Sequence, residues 1–373
     1  MSVSWERAIA FRARRQFLEE RVDHGRLLEV VSGLAGLHAQ VMSSAGLSLW
    51  ARVEGLSPDD LRDALWRRRS LVKLWAMRGT LHLLPASEYA WWQAALDTRR
   101  NYLTPSWSKW FGIPQDRLDL TFAAIGQVLH GARLTRQELA DAVARETGDD
   151  IEALRAGWGS ALKPASYRGL LCFAPDRGRN VTFTNPATWL RAKDRPRAAP
   201  VGDDALSKAL RRFVTTHGPA TREEVARWWG GVSAAKAERI LRTAGLAEVD
   251  LEGSRAWIDE ADAASLVTVE PTTTVRLLPT FDQYVIGSTA SVERLLPRDG
   301  FRDRVHRQAG WVSPVVLVGG RIEGVWSHER KGARLLVEVE PFRRRSVRLR
   351  EGVEAEAERL SAFLGGVLGL TWT

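Results

Sequence analysis

The sequence predicts an α+β fold with about three tandem winged helix-turn-helix units and a C-terminal β-barrel-like domain. A Thr-Arg helix start with an amphipathic run behind it occurs twice, at residues 132–148 and 218–233. Each copy leads into short alternating segments with a glycine turn, which is the element order of a winged helix. Beyond about residue 290, alternating segments prevail and one helical stretch closes the chain. The predicted boundaries give four parts: 1–115, 116–198, 199–268 and 269–373.

The first part is predicted from three helical stretches and a wing. The helices are expected at residues 5–20, 26–37 and 58–69. Ser57 is placed to cap the third helix, with Asp60 three residues on. The alternating run LVKLWAMRGTLHLLP (71–85) is predicted to form two strands of the wing.

One strand face in this wing is predicted to be polar. Period-two spacing places Arg78, Thr80 and His82 on the same side of a strand in MRGTLHLLP. Two interpretations stay open, because such a face suits a cleft lined by solvent or DNA and equally suits structural hydrogen bonding.

The second and third parts are predicted from their helix starts. Thr135 and Thr221 are the expected N-caps, and glutamates three residues later, Glu138 and Glu224, are placed to complete capping boxes. The hairpin of the second part is expected in LLCFAPDRGRNVTFT, and that of the third turns at Gly253.

The C-terminal part is predicted to be rich in strands. SPVVLVGGRIEGVWSHER (313–330) and ARLLVEVE (333–340) alternate, and GVEAEAERLSAFLGGVL (352–368) is the closing helix. The basic run PFRRRSVRLR (341–350) is predicted as a strand that either tracks a phosphate backbone or forms a solvated edge blunted by charge.

The stretch TFDQYVIG (280–287) places Asp282 and Tyr284 at alternating strand positions. A carboxylate there can orient water or hold an arginine. A structural ion pair at a domain junction is the preferred interpretation of Asp282.

Composition and charge favour a polyanionic partner. The 373 residues carry a net charge of +9, with 54 Lys and Arg against 45 Asp and Glu. Arginine, the main cation, binds phosphate bidentately, although a GC-rich genome produces the same bias. The 16 tryptophans belong mostly in cores, and some can stack on bases.

Several classes of site find no support in the sequence. The seven histidines are scattered without metal-ligand spacing, and neither a Gly-rich phosphate loop nor a Gly-x-Ser-x-Gly elbow occurs. We therefore expect no metal and no cofactor.

Cys172, the single cysteine, is expected to be a buried small hydrophobe in a reducing cytosol. Without a membrane-length apolar run or a signal peptide, the protein is expected to be cytoplasmic and nucleoid-associated.

The motif His38-Ala39-Gln40 lies at a seam between two apolar helical segments, in GLHAQVMSSAGLSLWAR (36–52). This stretch resembles the segment that carries the Gln-x-Gln motif in bacterial winged-helix DNA glycosylases of the AlkZ/YcaQ type. RGTLHLLP, LKPASYRGLLCFAP and LLPTFDQYVIG also resemble blocks of that family in the same order, so the resemblance spans nearly the whole chain. It implies tandem winged helices and a C-terminal β-barrel around a DNA-binding concavity.

One departure from the family pattern is informative. His38 replaces the first glutamine, while Gln40 aligns with the second. The His-x-Gln form resembles the branch associated with self-resistance in producers of intercalating, DNA-alkylating antibiotics of the trioxacarcin, hedamycin and pluramycin kind. It implies a glycosylase that removes bulky N7-alkylguanine adducts through base excision repair. GSTASVER, after the third block, lacks the basic residue expected soon after its glycine.

The chemistry of such a lesion suits a small polar pair. Alkylation at N7 makes guanine a good leaving group, so recognition and water placement are the difficult parts. The amide of Gln40 can hold a water at C1′, and His38 can act as general base or as a second positioning group. Because no lysine lies near the motif to form a Schiff base, we predict a monofunctional enzyme. The bulk of the adduct predicts excision without full base flipping.

The expected partner is double-stranded DNA carrying guanine adducts, bound by a monomer and without a membrane. Asp282 is expected to support the active site. Charge and block position select the predicted DNA contacts: Arg78, Thr80, His82, Lys163, Tyr167, Arg168, Arg177, Arg179 and Tyr284. Two other functions stay open: a winged-helix transcriptional regulator, and a glycosylase for crosslinks or simple alkylpurines.

Overall fold

The computed structural model describes residues 1–156, 159–194, 201–297 and 300–373. The chain divides into two compact units. We name them the split unit, which consists of Met1–Leu61 and Leu210–Thr373, and the central unit, which is Arg62–Ala209. Both contain helices and strands, so the predicted α+β class is confirmed. The number of winged-helix units and the four boundaries stay predictions. Among the described residues, no helix is both long enough and apolar enough to cross a membrane.

The split unit begins with a capped helix, Trp5–Arg15, whose N-cap Ser4 accepts a hydrogen bond from the backbone N–H of Arg7. It ends there because Phe17 adopts a left-handed φ of 58°. The other helices of this segment are Leu27–Gly33, Met42–Trp50 and Pro58–Arg62, and the short strands are Ser2–Val3, Val22–Asp23, Leu37–His38 and Val53–Glu54.

The helices predicted at 5–20 and 26–37 are therefore shorter than expected, and Met42–Trp50 is the apolar helix expected after the His38 motif. The helix predicted at 58–69 is α-helical only over Pro58–Arg62 and continues as a π-helical turn, Asp63–Arg67. The expected helix start is confirmed, since the Asp60 carboxylate accepts hydrogen bonds from the backbone N–H and the hydroxyl of Ser57.

The chain after residue 201 has the predicted order of helices and hairpin. Its helices are Gly202–His217, Arg222–Trp229, Ala234–Leu241 and Ala263–Thr268, and its strands are Leu246–Leu251 and Ser254–Asp259. The capping box of Thr221 and Glu224 is present, and Gly253 occupies the turn with a φ of 84°. Strand Ser2–Val3 pairs in parallel with this hairpin. Buried side chains of both segments form its core, among them Trp5, Phe11, Leu251, Ile258 and Leu266.

The C-terminal sheet is open. Its five strands lie in the order Val275–Leu278, Val315–Val318, Arg321–Lys331, Arg334–Pro341 and Val367–Trp372. Neighbours are antiparallel except for the last pair, which is parallel and joined through the helix Val347–Leu364. Within the described ranges the first and last strands are edges, so the prediction of a barrel is wrong.

A helix covers this sheet, which gives the physical reason for the open form. Helix Val347–Leu364 packs on the edge strand Val275–Leu278. A Cβ added at Gly352 would lie 2.3 Å from Cγ2 of Val275, so the helix approaches as closely as glycine allows. The helix shields the apolar side of the sheet, and the strands need not close on themselves.

The central unit contains two hairpins joined by aromatic packing. The first pairs Leu71–Trp75 with Leu81–Pro85, and the second pairs Cys172–Arg177 with Asn180–Thr184, to which Leu134–Thr135 adds a third strand. Trp75 lies 4.8 Å from Phe173 and 6.0 Å from Phe183, measured between ring centroids. The predicted capping box of Thr135 and Glu138 is confirmed. The helices are Tyr89–Leu96, Pro105–Phe111, Leu118–Val128, Arg136–Thr147, Glu152–Arg155, Lys163–Tyr167 and Pro186–Trp189.

Short 3₁₀ turns connect these elements. They are His24–Arg26, Met77–Gly79, Ala86–Glu88, Asn101–Leu103, Gln115–Arg117, Ser160–Leu162, Ala192–Asp194, Glu260–Asp262, Thr289–Arg294 and Gln308–Gly310, and a single α-helical turn forms at Arg302–Val305.

Candidate active site

The His38-Ala39-Gln40 motif follows a sharp change of chain direction. Helix Leu27–Gly33 ends where Ala35 and Gly36 adopt φ values of 56° and 92°, both in the left-handed region. The short strand Leu37–His38 comes next, and helix Met42–Trp50 begins after the motif. The polar pair is therefore fixed between two helices rather than within one.

The two side chains of the motif differ in exposure. His38 is 6% exposed, whereas Gln40 is exposed. The ring of His38 lies 5.2 Å from that of Phe281, which itself lies 4.9 Å from the ring of Trp311. The ring of His38 is thus packed against an aromatic ring, and Gln40 has access to solvent.

A buried ion pair holds the segment that carries Phe281. The guanidinium of Arg52 binds the carboxylate of Asp282 in bidentate fashion, with two nitrogen–oxygen distances of 2.8 Å, and both side chains are 0% exposed. Arg52 also donates to the backbone oxygens of Gln16 (2.9 Å) and Ser48 (2.8 Å). The pair satisfies its own charges in the interior, as buried charges require.

Asp282 does not lie on a strand, contrary to the prediction. It is the N-cap of the short helix Gln283–Gly287, where its Oδ1 accepts from the backbone N–H of Tyr284 at 3.0 Å. The ion pair with Arg52 fixes the position of Asp282, and thereby supports Phe281, the residue before it in the chain. The preferred interpretation of Asp282 as half of a structural ion pair is confirmed.

The prediction that Tyr284 contacts DNA is wrong. The side chain is 0% exposed, and its hydroxyl donates to the backbone oxygen of Gly320 at 2.7 Å. Burial raises the pKa of Tyr284 above its ordinary value. The physical reason is the helix at 283–287, which turns the tyrosine into the core where a strand would have pointed it outward.

Arg78, Thr80 and His82 do not share a strand face. Arg78 lies in the 3₁₀ turn Met77–Gly79 with a left-handed φ of 55°. Thr80 donates from Oγ1 to the backbone oxygen of Met77, and His82 is 0% exposed. The turn interrupts the alternation, so the prediction of one polar face is wrong and His82 presents no surface to DNA.

The structure does bring three of the predicted DNA contacts, Arg78, Lys163 and Tyr167, together in the central unit. A Cβ at Gly79, next to Arg78, would lie 3.1 Å from the hydroxyl of Tyr167 and 3.4 Å from Nζ of Lys163. Burial, together with the guanidinium of Arg99, lowers the pKa of Lys163. Tyr167 is 3% exposed, with Arg99 over its ring, and therefore contributes to packing more than to a surface.

The other predicted contacts of the central unit lie apart from this group. Arg168 pairs with Asp119 at 2.8 Å, and Arg177 pairs with Glu138 at 2.7 Å. Arg179 is exposed in the turn between strands Cys172–Arg177 and Asn180–Thr184. A wing turn of this kind is a suitable position for contact with a phosphate backbone.

The basic run 341–350 is not a strand. Strand Arg334–Pro341 ends before it, and Ser346 caps helix Val347–Leu364. The exposed arginines precede and open that helix: Arg343, Arg344, Arg345, Arg348 and Arg350.

Arg52 and Phe281 were missed by sequence reasoning. An arginine within the apolar stretch LSLWARV was a usable signal, because a buried guanidinium requires a carboxylate partner. Cys172 is buried as expected, and among the described residues no group of three or more His, Cys, Asp or Glu side chains is arranged to hold a metal ion.

Comparison with known proteins adds independent support. A sequence model of the family described as DNA glycosylase AlkZ-like matches residues 31–363. The interstrand DNA cross-link repair glycosylase of Streptomyces sahachiroi is 38% identical over 338 residues, which cover 87% of this chain and 88% of that protein. The solved structure of Streptomyces sahachiroi DNA glycosylase AlkZ matches with a TM-score of 0.90 and 35% identity, covering 100% of both chains.

These matches confirm the resemblance drawn from the sequence blocks and favour the enzyme over the transcriptional regulator. The chain belongs to the AlkZ-like DNA glycosylase family, whose members are enzymes that act on DNA.

Proposed function

We propose that this enzyme hydrolyses the N-glycosidic bond of N7-alkylguanine adducts in double-stranded DNA, with His38 and Gln40 preparing the attacking water. One observation carries the proposal: Gln40 is exposed beside a histidine whose ring is fixed against Phe281. The exposed amide of Gln40 can hold a water where deoxyribose approaches. The ring of His38, fixed against Phe281, keeps its imidazole at a constant position relative to that water.

The reaction step balances without a cofactor. The water oxygen forms a bond to C1′ as the bond from C1′ to N9 breaks, and the electron pair of that bond neutralises the cationic purine. Gln40 accepts a hydrogen bond from the water through its amide oxygen. The proton that the water loses passes to His38 acting as general base, or to solvent if His38 only positions the water. The products are the alkylguanine and an abasic site.

The proposed substrates are bulky, intercalated guanine adducts, and the proposed biological role is antibiotic self-resistance through base excision repair in the cytoplasm. The His-x-Gln form of the motif supports this role. An intercalated adduct is difficult to rotate into a pocket, so we propose that a monomeric enzyme works on the stacked base without full flipping.

Interstrand crosslinks are a second candidate substrate. The relative from Streptomyces sahachiroi is described as an interstrand DNA cross-link repair glycosylase. The two candidates share the bond to be hydrolysed and differ in what is attached to the purine.

The distribution of lysines supports a monofunctional mechanism. Residues 1–72 contain no lysine, and the split unit carries only Lys236 and Lys331. Borohydride should therefore trap no covalent protein–DNA adduct during the reaction. A trapped adduct would overturn this part of the proposal.

An excision panel tests the proposed function. Duplexes with N7-methylguanine, an interstrand crosslink or a bulky intercalated N7 adduct are incubated with enzyme, heated in alkali and examined for breaks at guanine. The wild type should cleave at the bulky adduct, and His38→Ala and Gln40→Ala should bind DNA without cleavage. His24→Ala and Gln137→Ala, at surface positions elsewhere, are the matched controls. Full cleavage by the motif variants would contradict the proposal.

A further inference from the structure

A short turn close to the His38 site presents a tryptophan, and we name it the Trp311 turn (residues 306–312). The backbone N–H of Arg307 donates to the oxygen of Trp311 at 2.8 Å, and the N–H of Trp311 donates to the oxygen of Gln308 at 3.2 Å. Ala309 adopts a left-handed φ of 55°, so the backbone is committed to this tight conformation. The turn therefore holds its tryptophan in one place by local hydrogen bonds.

Trp311, like Trp110 of the central unit, is exposed, unlike most tryptophans among the described residues. It is 46% exposed, whereas Trp50, Trp92, Trp228 and Trp257 are each less than 2% exposed. A large indole left in water forgoes the stabilisation that burial brings. A flat indole that is partly open to solvent offers a π-face on which another aromatic group can stack.

Three aromatic rings in consecutive contact, those of Trp311, Phe281 and His38, connect Trp311 to the candidate catalytic histidine, and we name them the ring ladder. Trp311 meets Phe281 edge to face at an interplanar angle of 67°, with 4.9 Å between the centroids. Phe281 in turn lies 5.2 Å from His38 and carries a left-handed φ of 57°. A non-glycine residue keeps such a φ only where its surroundings enforce it, and the neighbouring Asp282 is fixed by Arg52.

The Trp311 turn also borders an open cavity of about 950 Å³. This volume lies at the upper end of the range for pockets that take drug-sized ligands. Its described lining combines the flat indole with polar and charged side chains: Asp303, His306, Arg307 and Gln308. This lining suits a flat aromatic group that carries polar substituents and is attached to a polyanion.

We infer that Trp311 is a specificity residue whose indole stacks on the planar aromatic part of the group attached to guanine N7, where that part is drawn out of the base stack while the guanine itself stays stacked. This inference rests on the proposed function and deepens it, because it names the part of the lesion that the enzyme distinguishes from simple alkylation. The adduct lies over Trp311 while C1′ of the same nucleotide lies at His38 and Gln40. The ring ladder fixes the spacing between these two contacts.

The test compares two lesions and three variants. Excision of an intercalated aromatic N7 adduct and of N7-methylguanine is measured for Trp311→Ala, for Trp311→Phe and for the control Trp110→Ala, whose tryptophan is 82% exposed in the central unit. Stacking between a base and an aromatic side chain corresponds to a factor of about 5 to 150. Trp311→Ala should therefore lower the kcat/KM ratio of aromatic adduct to N7-methylguanine about tenfold or more. Trp311→Phe should restore part of it, and Trp110→Ala should leave it unchanged.

A binding measurement separates this inference from the proposed function. The Kd of each variant is measured for duplexes with and without the aromatic adduct, and Trp311→Ala should lose the preference for the adducted duplex. If wild type excises neither lesion but Trp311→Ala still loses that preference, the proposed function fails and the inference stands. Equal loss on both lesions, or an unchanged preference with an unchanged melting temperature, would overturn the inference.

Discussion

Two histidine–glutamine pairs among the described residues of the split unit, Gln16–His217 and His38–Gln40, have opposite surroundings. In one pair, Nε2 of Gln16 lies 3.0 Å from Nδ1 of His217, and the residues are 0% and 2% exposed. In the other pair, His38 is 6% exposed and Gln40 is open to solvent. The side-chain chemistry is the same, and only the surroundings differ.

The buried pair is a packing device. It joins the end of helix Trp5–Arg15 to the end of helix Gly202–His217, and the ring of Phe213 packs edge to face on His217 at 4.6 Å. A Cβ at Gly287 would lie 2.0 Å from Nε2 of His217, so the backbone closes over the ring. The pair is closed to bulk solvent and to a sugar at the surface, so we expect its hydrogen bond to contribute to stability. A His–Gln pair is thus a candidate site only where solvent and DNA can reach it, and the two residue types alone do not make one.

The largest effect is expected from the ion pair that supports the exposed site. Asp282→Asn leaves the guanidinium of Arg52 buried without a counter-charge, which costs about 3–5 kcal/mol of unfolding free energy. Asp63→Asn, which weakens the exposed pair with Arg67, should cost no more than about 0.5 kcal/mol. Urea denaturation of both variants checks this, and equal stabilities would show that the buried pair is dispensable.

The next effect concerns the buried pair. Gln16→Ala removes the partner of His217 in the interior and should lower the unfolding free energy by about 1–3 kcal/mol. The excision rate per folded molecule should stay at the wild-type value, because this pair does not touch DNA. The surface variant Gln137→Ala should change neither quantity. A Gln16→Ala protein of normal stability and reduced rate would reverse the assignment of the two pairs.

The smallest effect distinguishes the two roles left open for His38. His38→Gln restores the Gln-x-Gln pattern and should change kcat/KM at neutral pH by no more than about tenfold, since an amide can still position water. A histidine base is active when deprotonated, so a wild-type enzyme with such a base should lose activity towards acid pH, and His38→Gln should lose this dependence.

A second histidine controls for this pH measurement. Desolvation lowers the pKa of His328, whose ring stacks on Trp326 at 5.4 Å, so this side chain takes up its proton at a lower pH than an ordinary histidine. His328→Gln should therefore keep the acid limb of the profile. An acid limb that persists in His38→Gln would assign His38 to water positioning alone.

Sequence reasoning succeeded where the determinants are local. Thr135 and Thr221 each cap their helix through a glutamate three residues away, and Gly253 turns its hairpin with a positive φ. Such features depend on a few adjacent residues, so a single sequence contains them. The family blocks agreed with the α+β class that these local patterns predict.

The errors arose where distant residues decide. Arg52 and Asp282 are separated by 230 positions, and their contact places Phe281 against His38. The turn at Met77–Gly79 separates Arg78 from strand Leu81–Pro85, on which His82 is buried. The helix Gln283–Gly287 replaces the strand expected at Tyr284, which is also buried. The open C-terminal sheet depends on how helix Val347–Leu364 packs, which alternation alone cannot reveal.

The single-turnover excision rate of Gln40→Ala at saturating enzyme tests the central claim most directly, with the bulky N7 adduct as substrate. Gln40 is exposed, so its truncation should leave the melting temperature and the Kd for DNA close to those of wild type. We expect the rate constant to fall by about 100-fold or more, because the attacking water loses its alignment on C1′. A stable, DNA-binding Gln40→Ala enzyme that excises the adduct at the wild-type rate would contradict the claim.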